Sequence, residues 1–443
     1  MKWKSILLYL SWKPDSWQNY DCLQLPKYPD QENLNQVKSI LKQKNPLVFA
    51  GEIRNLKEQL KLAEKGEQFI FQAGPCMEEI KDNQISEIKN LFSLIVQTSL
   101  VLSFGLEKKI IRIGRLAGQY AKPRSELFEK DGKLTFRGDI VHSLNNREPN
   151  PYRMIDAYHH ASSTLNSIRS FAKSGDLDLA NIDNWLYPIK EYNYYPYKDF
   201  QNTIKKTVQF IQNCGIYNYN ALFREPEFYT SHEALLLHYE EALTRKDSLT
   251  QKYYNCGAHS LWLGERTRLS NGHIEYLKGI ENPIGIKIGP NSDINQLIYL
   301  IKTLNPSNES GKIMLIFRLG SDNINYQNEL SNIINNIQLE NLNVLYMCDP
   351  CHANTKLINN QKTRYVYTIQ NEILKFFEIC KSKNIIPAGI HIEISGENVT
   401  ECVGLNVKYD ELGLNYLSKV DPRLNPIQTL DLGFYISSIN NKI

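Results

Sequence analysis

The chain has 443 residues, and its 51 Lys+Arg against 48 Asp+Glu leave a formal net charge of +3. That balance is too near neutrality for phosphate neutralisation to drive binding, so nucleic acid is excluded as an expected partner. With 42% hydrophobic and 22% charged residues, wholesale disorder is excluded as well, and the length suits either about three domains or one large barrel with extensions.

At the start, Lys2 and Lys4 precede the short apolar run Ile6 to Leu10, but Trp12, Lys13, Pro14 and Asp15 follow where a signal peptide would carry a small-residue cleavage site. Export is not expected. Pro14, Pro26, Pro29 and Pro46 surround a helix expected over Glu32–Lys42, so residues 1–60 read as an N-terminal extension lying on a larger body, 61–443. The apolar stretch Leu91 to Leu106 is broken by Gln97, Thr98 and Ser103 and is shorter than the roughly 20 residues needed to cross a bilayer. It reads as a core helix, with no membrane partner. Cys22, Cys76, Cys214, Cys256, Cys348, Cys351, Cys380 and Cys402 are scattered rather than clustered as a disulfide framework, which points to a reducing cytoplasm.

From Gln68 onward, β-rich runs alternate with helix-length segments. The runs are Phe69–Gln72, Lys109–Gly114, a weaker one at Asn220–Phe223, His259–Leu263, Ile284–Ile288, Ile313–Phe317, Val344–Met347 and Gly389–Ile394. Most are continuously apolar, as strands buried on both faces are, and right-handed βα crossovers join such strands into a parallel sheet. Eight of them predict an α/β fold, a (β/α)8 TIM barrel, over a doubly wound open sheet. The segment 124–213 is too long for a βα connection and contains a helix-like stretch over Pro151–Ser174, so inserted helices are expected after strand 2. Asn184–Tyr197, dense in Trp and Tyr, reads as an aromatic loop at the surface or at a subunit contact.

In a barrel of this kind, chemistry sits at the C-terminal ends of the strands. Reading those ends in order gives Cys76, Arg115, Glu233, Glu265 with Arg266, Lys287, Arg318, His352 and Glu393. Arg115, Arg266, Lys287 and Arg318 would converge on one cavity, where their repulsion and desolvation demand a compensating anion, a phosphate or carboxylate. Cys76, His352, Glu393 and Asp421 form a second set whose mixture of thiolate, imidazole and carboxylate suits a borderline divalent metal, Mn2+, Co2+, Fe2+ or Zn2+. The Cys348-Asp-Pro-Cys351 pair has no second pair at zinc-site spacing and sits at a strand end, so it reads as coincidental. No Walker or Rossmann pattern is present. Ser231, His232 and Glu233 are sequence neighbours that cannot face one another as a triad; Ser231 reads as the cap of a helix from Glu233 to Leu243.

Longer motifs resemble one family, the class II (plant-type) 3-deoxy-D-arabino-heptulosonate 7-phosphate (DAHP) synthases. They run in order through Tyr28-Pro-Asp30, Leu47–Glu52, Gly114-Arg-Leu-Ala-Gly-Gln-Tyr-Ala-Lys-Pro-Arg-Ser125, Phe136-Arg-Gly-Asp-Ile-Val141 and Tyr229-Thr-Ser-His-Glu-Ala-Leu235. They continue through Trp262-Leu-Gly-Glu-Arg-Thr-Arg268, Asn282–Pro290, Asp349-Pro-Cys-His-Ala-Asn-Thr355, His391–Cys402 and Asp421-Pro-Arg-Leu-Asn425. The resemblance implies a transferase that condenses phosphoenolpyruvate with erythrose 4-phosphate in the shikimate pathway, with one divalent metal, Mn2+ or Co2+ before Zn2+ or Fe2+. It implies metal ligation by Cys76, His352, Glu393 and Asp421, and phosphoenolpyruvate binding by Arg115, Glu265, Lys287 and Arg318. It places Lys122, Arg124, Ser125, Arg266 and Lys362 near the second substrate, with Arg364 also in the lining, and a homo-oligomer, dimer or tetramer. Glu265 is the first candidate to orient the attacking water.

Eight positions depart from the family pattern: Ala73, Pro75 and Met77 around Cys76, then Asn150, Tyr346, Cys351, and Ala353 and Leu405, both where the family usually carries glycine. They keep two alternatives open. One is a diverged enzyme of specialised metabolism that takes another aldehyde, such as the amino analogue; the other is a non-catalytic regulatory paralogue.

Overall fold

The computed structural model describes residues 12–81, 84–129, 132–175, 195–214 and 227–440. Eight strands close into a parallel barrel: β1 (Gln68–Gly74), β2 (Lys109–Gly114), β3 (Tyr229–Glu233), β4 (Ser260–Leu263), β5 (Ile284–Ile288), β6 (Ile313–Phe317), β7 (Leu345–Cys348) and β8 (Pro387–Glu393). Each strand pairs with its neighbours in chain order, and β8 pairs with β1 to complete the ring. The continuous apolar runs are the reason for the parallel closure. Every residue of β5 and β6 is buried, one face inside the barrel and the other under a helix.

Among the described residues the α-helices are α1 (Gln31–Gln43), α2 (Ala50–Glu64), α3 (Ile85–Leu106), α4 (Arg153–Lys173), α5 (Tyr195–Asn213), α6 (Leu237–Leu243), α7 (Asn271–Leu277), α8 (Ile294–Leu304), α9 (Tyr326–Leu339), α10 (Val366–Ser382) and α11 (Pro426–Asn440). Asp30 starts α1 by accepting the Asn33 N–H at 2.9 Å, an N-cap interaction worth about 1 kcal/mol. Helix α3 is long and apolar enough to cross a membrane by length and composition. It is the core helix expected: Phe92, Ile95, Val101 and Leu102 are buried, and it packs along α11. Helix α2 runs across residue 60 and plugs the lower barrel, where its Leu56, Leu60 and Ala63 share one cluster with Ile70, Ile111, Ile113, Met314, Ile316 and Met347.

Two sequence expectations are corrected here. The third strand is Tyr229–Glu233, while the weaker run at Asn220–Phe223 falls outside the described residues. Ser231 therefore caps no helix: its hydroxyl donates to Gly114 O at 3.2 Å and accepts from Gln72 Nε2 at 2.9 Å. The reading failed because Thr230, Ser231 and His232 are buried in a short strand, where polar residues depart from the usual apolar signature. Helices α4 and α5 fill the expected insertion after β2. Of the aromatic segment Asn184–Tyr197, the part before Tyr195 lies outside the described residues, as does the Ile6 to Leu10 run.

Side-chain alternation along the strands positions the site. Two residues beyond the apolar floor of the barrel, the inward positions turn polar and then charged: Ile113 leads to Arg115, Ser231 to Glu233, Ile316 to Arg318, Met347 to Asp349 and His391 to Glu393.

Leu405, in the loop between β8 and α11, has φ of 57° and is about half exposed. A leucine held left-handed costs roughly 1–2 kcal/mol, partly offset by the lower entropy of its unfolded chain. Leu405→Gly is expected to raise stability by about 0.5–1 kcal/mol in urea unfolding; an unchanged or lower midpoint would count against this strain.

Candidate active site

A cavity of about 660 Å3 opens at the C-terminal ends of the strands. Its lining includes Cys76, Arg115, Lys122, Arg124, Ser125, Glu233, Glu265, Arg266, Lys287, Arg318, His352, Lys362 and Asp421. Of the thirteen residues that the family resemblance assigns to the metal and the two substrates, only Glu393 is absent from this lining. It lies directly beneath it, fully buried.

Glu393 joins the two halves of the site. One oxygen accepts from Arg115 Nη2 at 3.1 Å and lies 3.0 Å from His352 Nε2; the other accepts from Arg364 Nη2 at 2.6 Å. Burial opposes its charge, but His352, Arg364 and Arg115 outweigh that and hold the carboxyl well below its ordinary range. Arg364 is fully buried beneath the cavity rather than in its lining, bonded also to Thr355 Oγ1 at 3.0 Å and to the Pro422 carbonyl.

The metal-type donors form a compact group. The ligand atoms of Cys76, Glu393 and Asp421 all lie within 4.8 Å of one another; His352 stands outside that tight set and joins it through Glu393. A thiol and two carboxylates at this spacing, with an imidazole against one of the carboxylates, are the donor types that suit a borderline divalent ion. The group already attracts cations: Lys122 Nζ lies 2.6 Å from Cys76 Sγ and 2.8 Å from Asp421 Oδ2, and Lys362 Nζ lies 2.6 Å from Asp421 Oδ1. Lys362 reaches in from a two-stranded hairpin, Lys356–Ile358 with Gln361–Thr363.

The basic half is layered on Trp262. Arg115 and Lys287 lie 5.4 and 6.0 Å from its ring centre, and Lys287 donates to Asp349, whose same oxygen is 2.7 Å from His352 Nδ1. Burial pulls the Lys287 ammonium down to about 8 although Asp349 supports it. Arg318 faces Glu265 at 3.5 Å, and Arg268 holds the other Glu265 oxygen at 3.0 Å. At the outer rim, Arg266 donates twice to Ser125 Oγ, at 2.9 and 2.6 Å, while the Arg124 backbone N–H donates to Gln24 Oε1 of the N-terminal arm.

Sequence reasoning missed two residues here. Asp349 opens the Asp-Pro-Cys-His motif two positions past Met347. His391 sits two before Glu393 on the same face of β8; strand alternation was the signal for both. His391 Nε2 accepts from Arg115 Nη1 at 3.0 Å, so its proton is on Nδ1, which donates to Gln72 Oε1 at 2.8 Å. Burial, with Lys287 and Arg115 nearby, holds this imidazole neutral. Gln72 passes the chain to Ser231. Glu78 organises the neighbouring loop by accepting from the backbone N–H groups of Ala117, Gly118 and Gln119 at 2.8, 2.9 and 2.8 Å.

None of the eight family departures lines the cavity. Pro75 faces a second cavity of about 400 Å3 with Met77, on the other side of the Cys76 loop. Tyr346 lines a hollow at the foot of the barrel, and the Cys351 thiol accepts the Glu393 N–H at 3.4 Å. All eight cysteines are free, so Cys348 and Cys351 form no disulfide.

The fold and site define a barrel whose cavity sets a cluster of basic side chains beside a metal-type donor cluster. The class-II DAHP synthetase family matches residues 12–437. Phospho-2-dehydro-3-deoxyheptonate aldolase of Streptomyces coelicolor is 37% identical over 440 residues, covering 96% of each chain. The protein of that name from Neurospora crassa is 38% identical over 453 residues, covering 96% of this chain and 94% of its own. A solved structure, phospho-2-dehydro-3-deoxyheptonate aldolase from Francisella tularensis SCHU S4, shares the fold, with a TM-score of 0.52 at 15% identity over 91% of this chain and 96% of its own. The chain belongs to the class-II DAHP synthetase family and is an enzyme of that class.

Two outcomes follow from the buried groups. Arg364→Met leaves Glu393 short of a buried partner and is expected to destabilise the fold by roughly 3–5 kcal/mol; a loss under about 1 kcal/mol would show that Arg364 is not needed to hold the carboxylate. Gln72→Met removes the acceptor that fixes the His391 tautomer. The affinity for an anionic ligand at Arg115 should then fall by about fivefold, on the scale of one hydrogen bond, with the melting temperature within a few degrees of wild type; unchanged affinity would contradict the tautomer assignment.

Proposed function

We propose that this chain condenses phosphoenolpyruvate with erythrose 4-phosphate to give DAHP and inorganic phosphate, in a metal-dependent reaction of the shikimate pathway. The observation that carries this reading is the meeting of Arg115, Lys287 and Arg318 with the Cys76, Glu393 and Asp421 cluster in one cavity. Arg115, Lys287 and Arg318 hold the phosphate and carboxylate of phosphoenolpyruvate, and Glu265 keeps Arg318 aimed inward. Planar guanidinium forks suit such bidentate recognition. Lys122 stands at the carbonyl end of the aldehyde, beside Cys76 and Asp421, while Arg124, Ser125, Arg266 and Lys362 gather its phosphate at the rim.

Cys76, His352, Glu393 and Asp421 would hold the metal, Mn2+ or Co2+ before Zn2+ or Fe2+, and a bound divalent ion there supplies Lewis-acid polarisation of the aldehyde. The chain's own groups then do the rest. The basic cluster stabilises charge on the departing phosphate, and Trp262, buried beneath two cations, keeps water from their inner faces.

Erythrose 4-phosphate is favoured over another aldehyde because none of the eight departures lines the cavity. A non-catalytic role is disfavoured by the number of charged groups kept buried around Glu393, each costly without a ligand to serve. The free cysteines support a reducing compartment, the cytoplasm. A homo-oligomer, dimer or tetramer, and residues 1–60 as an extension on the barrel, remain part of this proposal.

Phosphate release from phosphoenolpyruvate tests the reading. Release is expected only with erythrose 4-phosphate and Mn2+ or Co2+ together, and a chelator should abolish it; tight phosphoenolpyruvate binding without release would redirect the search to other aldehydes. The protonated Lys287 is the form that binds an anion, and it predominates below about pH 8. The KM for phosphoenolpyruvate should therefore rise as pH passes upward through about 8. Lys287→Arg should remove that inflection; an inflection that persists would assign it to another group.

A further inference from the structure

Glu372 stands on α10, fully buried, behind the cavity rather than in its lining. All three partners of its carboxyl oxygens are N–H donors, and they come from two different loops. Oε1 accepts the backbone N–H groups of Leu319 and Gly320, both at 3.0 Å, and Oε2 accepts from Asn354 Nδ2 at 2.5 Å. The first loop follows β6 and begins at Arg318; the second follows β7 and carries His352 just before Asn354. Asn354 closes the set, because its Oδ1 accepts the Ser321 N–H at 2.9 Å and its Nδ2 also donates to Pro350 O at 2.8 Å. Further along α10, Lys375 Nζ donates to Ser321 O at 2.8 Å. The two loops lie close together: a Cβ on Gly320, whose φ is 88°, would stand 3.3 Å from the Ala353 Cβ.

We propose that Glu372 is a positioning residue that sets Arg318 and His352 at a fixed spacing, and so holds the anion side and the metal side of the cavity in register. This deepens the condensation proposed above and rests on it. Its hydrogen bonds reach neither residue directly; it acts through the backbone of one loop and through Asn354 of the other. A carboxylate out of water is costly unless its acceptor sites are filled, and burial pushes Glu372 up to about 8 against the pull of its three donors. A neutral side chain of similar size would avoid that cost. What only a carboxylate supplies is two acceptor oxygens, so that N–H groups arriving from two directions are met at once.

The test compares the wild type with Glu372→Gln, alone and combined with Asn354→Asp, by Co2+ titration, phosphoenolpyruvate binding and phosphate release. Glutamine keeps one oxygen for the Leu319 and Gly320 N–H groups but turns an N–H2 against that of Asn354. Aspartate at 354 would accept from that N–H2 on one oxygen and from the Ser321 N–H on the other. Glu372→Gln should lose about tenfold in Co2+ affinity and in kcat, the scale for a group that orients a metal ligand, while phosphoenolpyruvate affinity stays within about threefold. The double variant should regain most of both losses. Glu372→Gln within about threefold of wild type in Co2+ affinity and kcat overturns the assignment. So does a double variant no better than the single one, because the loss would then come from a disturbed fold rather than from the pairing. A wild-type protein that binds Co2+ and phosphoenolpyruvate but releases no phosphate overturns the condensation instead, and the two affinities still decide the role of Glu372. One that fails to bind either probe overturns both.

Discussion

One buried carboxylate organises the top of this barrel. Glu393 has no solvent of its own, so its charge persists only because Arg115, Arg364 and His352 surround it at 3.1, 2.6 and 3.0 Å. Those partners tie together three different parts of the chain. Arg115 belongs to the basic half, His352 to the loop after β7, and Arg364 to the segment that carries the Lys362 hairpin. Removing one member of such a set leaves the others uncompensated in a low-dielectric environment, where breaking a buried pair costs far more than a surface pair contributes.

The barrel supports this arrangement by separating its layers. Apolar inward residues and the α2 plug fill the floor, a hydrogen-bonded layer of Gln72, Ser231 and His391 follows, and the charged rim stands above. Each layer is two residues further along the strands. The middle layer orients a neutral acceptor toward Arg115, and Glu78 does the same for the loop after β2 by taking three of its N–H groups. Rigidity thus comes from packed strands and directed hydrogen bonds, the condition for a preorganised site.

Much of this was legible in the sequence, for identifiable reasons. Continuous apolar runs such as Ile284–Ile288 and Ile313–Phe317 have one stable place, a strand buried on both faces, and their spacing gives the barrel. The cations were legible because each falls at or just past the end of such a run. Tyr229–Glu233 was not, since a strand reading Tyr-Thr-Ser-His-Glu carries its burial in polar residues whose partners lie elsewhere in the chain. His391 and Asp349 were hidden by the same limit: their importance is a matter of what Gln72, Arg115 and Lys287 bring to them. The departures at Pro75 and Leu405 were visible as letters, yet only the fold shows that they face away from the cavity.

The central claim is that Cys76, His352, Glu393 and Asp421 act as one cation site coupled through Glu393 to the anion site. Titration of the purified protein with Co2+, followed by absorption spectroscopy, addresses it directly. The account predicts a saturable thiolate-to-cobalt charge-transfer band at one equivalent, abolished by Cys76→Ala and weakened by Glu393→Gln. No such band in the wild-type protein, or one unchanged in Cys76→Ala, would contradict it.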